Sequence, residues 1–191
     1  MARTREFDTE AAVARAMELF WRRGYEATSI RDLTDHLGVG QGSLYAAFGS
    51  KDGLYQAALR HYRSTLAAEA LRSLDAGTDA RSAVRAMLVE RIRIATEDGR
   101  GCLFVNAATE RLPADAATRA MVRAALTASQ DALTDVLTAA AERGEITSAR
   151  PPRRLAEFLV TFLNGLLVAA KATPDRRALE PLVEVALDVL D

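Results

Sequence analysis

Gln41, Gly42, Ser43 and Ala46 bring small size and hydrogen-bonding capacity together within six positions. Such residues suit the leading turns of a helix that enters the DNA major groove, about 12 Å wide. There a Gln amide can pair bidentately with adenine, and a Ser hydroxyl can read either base of a pair. Upstream, Ser29 with Asp32 three residues on has the form of a capping box. The free N–H groups of a helix start can take a phosphate, and Thr28 stands beside them. Catalytic chemistry has less to work with. The two histidines, His36 and His61, lie outside metal-ligand spacing, no Gly-x-Ser-x-Gly elbow exists, and Cys102 has no evident histidine partner. Gly38-Val39-Gly40-Gln41-Gly42 lacks the third glycine of a nucleotide loop and follows a short helix where such a loop follows a strand. Neither an enzyme nor a bound metal or cofactor is expected.

The elements that position these residues all read as helices, since no run alternates apolar and polar residues as a strand would. Asp8 caps a first helix carrying Val13, Met17 and Phe20, which Arg22-Arg23-Gly24 ends. Ile30, Leu33 and Leu37 mark a second helix of about two turns, stopped by Gly38. Leu44 and Phe48 anchor a third, leaving Gln41, Ser43, Tyr45 and Ala46 outward. Two short helices joined by a glycine turn form a helix-turn-helix pattern. Ser50 caps a longer helix that runs towards Leu74 and links two domains. Further helices are expected at Asp79 to Glu97, Cys102 to Arg111, Pro113 to Arg143, Pro151 to Lys171 and Pro174 to Leu190. The fold class is therefore all-α: an N-terminal three-helix domain at residues 1–50 and a C-terminal helical bundle at 51–191.

Of 191 residues, 49% are hydrophobic and 27% charged, which gives enough apolar surface for a core without staples. A lone cysteine fits a reducing cytosol. The N-terminus has arginines but no apolar stretch of signal-peptide type. The most lipid-like segment, Leu155 to Ala170, spans 16 residues and includes Glu157, Thr161 and Asn164, short of the roughly 20 needed to cross a bilayer. A cytoplasmic chain without membrane contact is expected. Charge gives little support to nucleic-acid binding: residues 1–63 hold nine Lys or Arg against eight acids, a net of +1. Arg3 and Arg5 could serve as a minor-groove arm.

The segment TSIRDLTDHLGVGQGSLYAAFGSKDGLY, residues 28 to 55, resembles the DNA-binding segment of the TetR family of bacterial transcriptional regulators. Upstream AMELFWRRGYEATSI fits it as well. A Gly-Tyr turn precedes the capped helix, a Gly-Val turn precedes the next, and Leu-Tyr-x-x-Phe-x-Ser-Lys follows, all in order. The resemblance covers about the first 60 residues; beyond them only the helical plan matches. It implies that Arg31 reaches a base or phosphate and that Tyr45 and Lys51 contact phosphates. It also implies a homodimer on a palindromic operator of double-stranded DNA, with repression the commonest behaviour, and a C-terminal pocket whose small-molecule effector releases DNA. Candidate pocket residues are Cys102, Phe104, Asn106, Met121, Phe158, Phe162 and Asn164.

The helix from Pro151 is apolar nearly all round, so one face needs a partner. The expected dimer interface combines its Leu155, Leu159 and Leu166 with Leu179, Leu182, Val183, Ala186 and Leu190 of the last helix. Two alternatives stand beside this reading. Gly101 to Glu110 resembles a segment of a family subset in which a cysteine senses electrophiles or oxidants, which would make Cys102 the sensor. The other is a helical dimeric binding module that has lost DNA binding.

Overall fold

In the computed structural model, which describes residues 8–69, 74 and 79–191, nine α-helices follow one another with no strand among the described residues. Arg3 and Arg5 lie outside them. Helix α1 (Thr9–Arg23) begins where the Asp8 carboxylate accepts from the Ala11 amide. Helix α2 (Ile30–Leu37) starts in the reciprocal box, with Ser29 Oγ accepting from the Asp32 amide and Asp32 accepting from the Ser29 amide. It ends at Gly38, whose φ of 71° is the left-handed conformation glycine adopts without strain. Helix α3 (Gln41–Phe48) follows, then α4 (Lys51–Tyr62) with Ser50 capping through the Gly53 amide.

The fourth helix does not run on as α-helix to Leu74: it widens into a π turn over Arg63–Ala67. Helices α5 (Ala80–Glu97) and α6 (Leu103–Arg111) come next, followed by α7 (Ala116–Glu142), α8 (Pro152–Ala172) and α9 (Arg176–Leu187); a 3-10 turn closes the chain at Asp188–Leu190. α7 starts three residues after Pro113, because Asp115 supplies its cap by accepting from the Thr118 amide at 3.0 Å. α9 likewise starts behind the Asp175 cap and not at Pro174.

Packing follows the apolar stripes. α1 lies against α2 and α4, and Phe20, Leu33, Leu44, Leu54, Tyr55 and Leu59 are fully buried among them. α8 packs against α5, α7 and α9 around Leu88, Ile92, Leu133, Leu137, Leu155 and Leu159. Each such leucine stabilises the fold by about 1.5–3 kcal/mol relative to exposure. α8 reaches 21 residues, more than the 16 of its apolar stretch, and by length and composition could cross a membrane. Its contacts on three neighbours are those of a bundle core helix.

The expected dimer stripe needs correction. Leu155, Leu159, Leu166, Leu179, Val183, Ala186 and Leu190 are all buried within the single subunit; only Leu182, 43% exposed, lies on the surface. Because α8 is apolar all round, spacing marks its stripes but not which one faces inward. The outward apolar side carries Phe158, Val168, Leu182 and Val185.

Candidate nucleic-acid interface and adjoining cavity

On α3, Gln41, Gly42, Ser43, Tyr45 and Ala46 are exposed, while Leu44 is fully buried and pins the helix. Gly40 caps α3 without a side chain, so the first N–H groups carry no side-chain acceptor. A Cβ at Gly42 would meet nothing within 4 Å, so packing does not require this glycine. Arg31 extends from α2 with its side chain 92% exposed, in a loose 3.7 Å pair with Asp35. Lys51 Nζ lies 4.1 Å over the Tyr25 ring. Ser29 is exposed, but Thr28 is fully buried and donates its hydroxyl to the Gly24 carbonyl at 2.6 Å. Thr28 therefore shapes the turn and is removed from the phosphate-contacting set. The Asp32 carboxyl is held down to about 2 by hydrogen bonds from the Ser29 hydroxyl and amide, with Arg23 adding to them. Arg15 ties α2 to α1 by donating to the His36 and Leu37 carbonyls at the end of α2.

A second set of contacts joins this region to α6. Glu110 accepts from the Tyr25 amide at 2.9 Å and the Glu26 amide at 2.8 Å, in the turn before α2. Gly24 makes this possible: its φ is 85°, and a Cβ there would lie 2.9 Å from a Glu110 oxygen. Arg111 stacks 3.8 Å from the Tyr25 ring centroid and pairs with Asp52 at 2.7 Å and Asp115 at 2.8 Å. Burial alone would raise the Asp115 carboxyl, but hydrogen bonds from Thr118 and Arg111 outweigh it and hold it near about 2. Trp21 donates to the Gly101 carbonyl at 3.2 Å under the Arg100 guanidinium, and its ring meets Tyr62 edge-on at 5.0 Å.

Behind this seam lies a cavity of about 430 Å³. Tyr62, Arg63 and Ala67 enter it from the end of α4 and the π turn, Met87 and Arg91 from α5, and Cys102, Phe104, Val105 and Ala108 from the start and body of α6. Val122, Leu126, Ser129 and Leu133 of α7 and Val160, Leu163, Asn164 and Leu167 of α8 also line it, with Thr109 of α6. Of the expected pocket residues, Cys102, Phe104 and Asn164 line it. Asn106 does not: its amide donates to the Arg100 carbonyl and its oxygen accepts from Lys171, both at 3.0 Å, which locks α6 to α8. Met121 packs against the core away from the cavity, and Phe158 and Phe162 stack on each other 6.2 Å apart on the other side of α8.

Sequence reasoning missed Tyr62 and Arg91. Tyr62 donates to Cys102 Sγ at 3.5 Å, and Arg91 donates to the Tyr62 hydroxyl at 3.2 Å. A signal for Arg91 existed: it falls on the stripe Val84, Met87, Leu88, Ile92 and Ala95, a charge among buried apolar positions. Cys102 is buried at the N-cap of α6, and Arg100 is turned away from it, towards Trp21, Glu18 and Asp98.

Comparison with known proteins agrees with both halves. Residues 12–58 match the family described as bacterial regulatory proteins, tetR family, and residues 80–185 match the tetracyclin repressor-like C-terminal domain. The HTH-type transcriptional regulator YezE of Bacillus subtilis (strain 168) is 32% identical over the full length of both chains. The HTH-type transcriptional repressor ComR of Escherichia coli (strain K12) is 29% identical over 96% of this chain and 88% of its own. Among solved structures, the TetR family regulator CifR, a cysteine mutant complexed with a 26-bp double-strand operator, is 37% identical. It superposes with a TM-score of 0.87 over 97% of this chain and 98% of that one.

Proposed function

Since the chain belongs to the TetR family of bacterial DNA-binding regulators, we propose that it is a cytoplasmic, non-enzymatic repressor. It binds a palindromic operator as a homodimer and leaves it when a small molecule fills the cavity. Residues 1–50 are the DNA-binding part and 51–191 the sensing and dimerising part. Gln41, Gly42, Ser43 and Ala46 approach bases, while Ser29, Tyr45 and Lys51 hold phosphates and Arg31 reaches either. Dimerisation covers the outward apolar side of α8 and α9, Phe158, Val168, Leu182 and Val185, in a four-helix contact. Two recognition helices then lie about 34–36 Å apart, one turn of DNA.

The observation that carries this reading is the double duty of α6. Phe104 and Ala108 form cavity wall, and two residues further on Glu110 and Arg111 grip the turn that leads into α2. A ligand that displaces the wall also moves the grip. It shifts the equilibrium only by its differential affinity for the released state, typically about 1–3 kcal/mol. A second reading draws on Cys102, a residue of the same cavity wall: an electrophile that reached its thiol would modify it and trigger the same displacement.

Selection of bound duplexes from a random library by the purified protein, with its mass in solution measured alongside, tests the proposal. A palindrome with half-sites one helical turn apart is the expected result. No enrichment from a stable dimer would overturn it in favour of a helical binding module.

A further inference from the structure

The cavity wall is mostly apolar, with Thr109, Ser129 and Asn164 as neutral polar members; among the described residues it carries two cations, Arg63 and Arg91, and no carboxylate. Arg63 is exposed; Arg91 is only 8% exposed. A guanidinium stays charged at any physiological pH, and a buried charge is costly unless an opposite charge and hydrogen bonds compensate it. Arg91 receives little of either. Its Nη2 donates to the Tyr62 hydroxyl, its Nη1 is buried with no acceptor, Cys102 is the other polar group beside it, and among the described residues no carboxylate pairs with it. The neighbouring Glu90 is committed to Arg93 at 2.7 Å. Around this charge, Leu126, Leu133, Val160, Leu163 and Leu167 offer only hydrocarbon.

From this we infer that the cavity takes an organic carboxylate with an apolar body, its head paired with the Arg91 guanidinium beside Tyr62 and its tail along α7 and α8. The inference rests on the reading of the cavity as the effector site. A carboxylate supplies what Arg91 lacks, two acceptor oxygens and a negative charge, and a planar guanidinium meets it bidentately. A volume of about 430 Å³ falls in the usual range for small-molecule sites, about 300–1,000 Å³.

The test needs no operator. Trp21, the single tryptophan, touches Tyr62 edge-on and so reports on the cavity wall by fluorescence. Titrating the full chain with octanoate, methyl octanoate and 1-octanol should show octanoate binding about ten- to hundredfold more tightly than either neutral probe. Arg91→Met should bring that ratio to near one with neutral-probe affinity kept, and Arg91→Lys should retain a preference for the anion. In the absence of probe Arg91→Met should melt no lower than the parent, because an uncompensated buried charge is removed. Equal affinities for octanoate and methyl octanoate, or an anion preference that survives Arg91→Met, would overturn the inference. The operator recovered by duplex selection separates this from the wider reading: Arg91-dependent octanoate binding that leaves operator affinity unchanged keeps the anion site and refutes the effector role. Operator release by neutral probes with no anion preference does the reverse.

Discussion

Helix α3 and the cavity are built in opposite ways. α3 is eight consecutive residues that turn the four side chains of Gln41, Ser43, Tyr45 and Ala46, with Gly42 between them, to solvent and rely on Leu44 alone as a fully buried anchor. The cavity draws its wall from positions as far apart as Tyr62 and Leu167, on five helices that each bury a stripe elsewhere. A surface that must fit an external partner can be specified by a short contiguous stretch with little packing behind it. A cavity between helices exists only once the whole bundle is assembled, and its chemistry lies in whichever side chains the packing happens to bring together. The first should therefore fail locally and the second globally.

Removing the anchor gives the largest effect. Leu44→Ala should cost about 2–5 kcal/mol in thermal or denaturant unfolding and abolish binding to every duplex, while octanoate still quenches or enhances Trp21. An unchanged melting temperature would mean that α3 is held by more than this one side chain, and the contrast would fall.

Next is the acid limb. Asp115 and Asp32 both have carboxyls held at about 2, but the Asp115 side chain is only 13% exposed and Asp32 is the accessible member of a surface cap. A folded pKa below the ordinary carboxylate value contributes stability above about pH 4 that is lost as pH falls towards about 2. Asp115→Asn should therefore lower stability at neutral pH by about 1–2 kcal/mol and flatten the fall between those pH values. Asp32→Asn should flatten the same limb by a smaller amount, because its cap is screened by solvent. Urea titrations from pH 2 to 7 read both.

The smallest effect on the fold, and the most selective for function, is at the DNA face. Lys51→Ala should weaken binding to all duplexes alike and reduce the salt slope by roughly one, whereas Gln41→Ala should alter sequence preference at constant slope. Unchanged slope in Lys51→Ala would remove its phosphate role and leave only its place over Tyr25.

The same opposition decides what could be read from the sequence. Caps and stops at Asp8, Ser29, Gly38 and Ser50 are local chemistry, so the N-terminal helices are legible residue by residue. Thr28 misled because a hydroxyl free to meet a phosphate and one that closes a turn look alike in sequence; only its burial separates them. In the second region, helix positions were legible, but the inward face of an all-apolar helix such as α8 was not. Hence leucines that are buried were expected at an outer face, and Phe158, which is exposed, in the pocket. Arg91 was visible as a misfit on an apolar stripe, but its significance emerges only with Tyr62 and Cys102 beside it.

Glu110 offers a way to time the junction between the two regions. The amides of Tyr25 and Glu26 have their protons held by its carboxylate and by no helix ladder. Their exchange with deuterated solvent therefore requires that this grip lets go. Two backbone protons thus act as a clock for how often this contact opens, and a cavity ligand that changes their exchange while leaving α1 and Lys51 undisturbed has acted through α6.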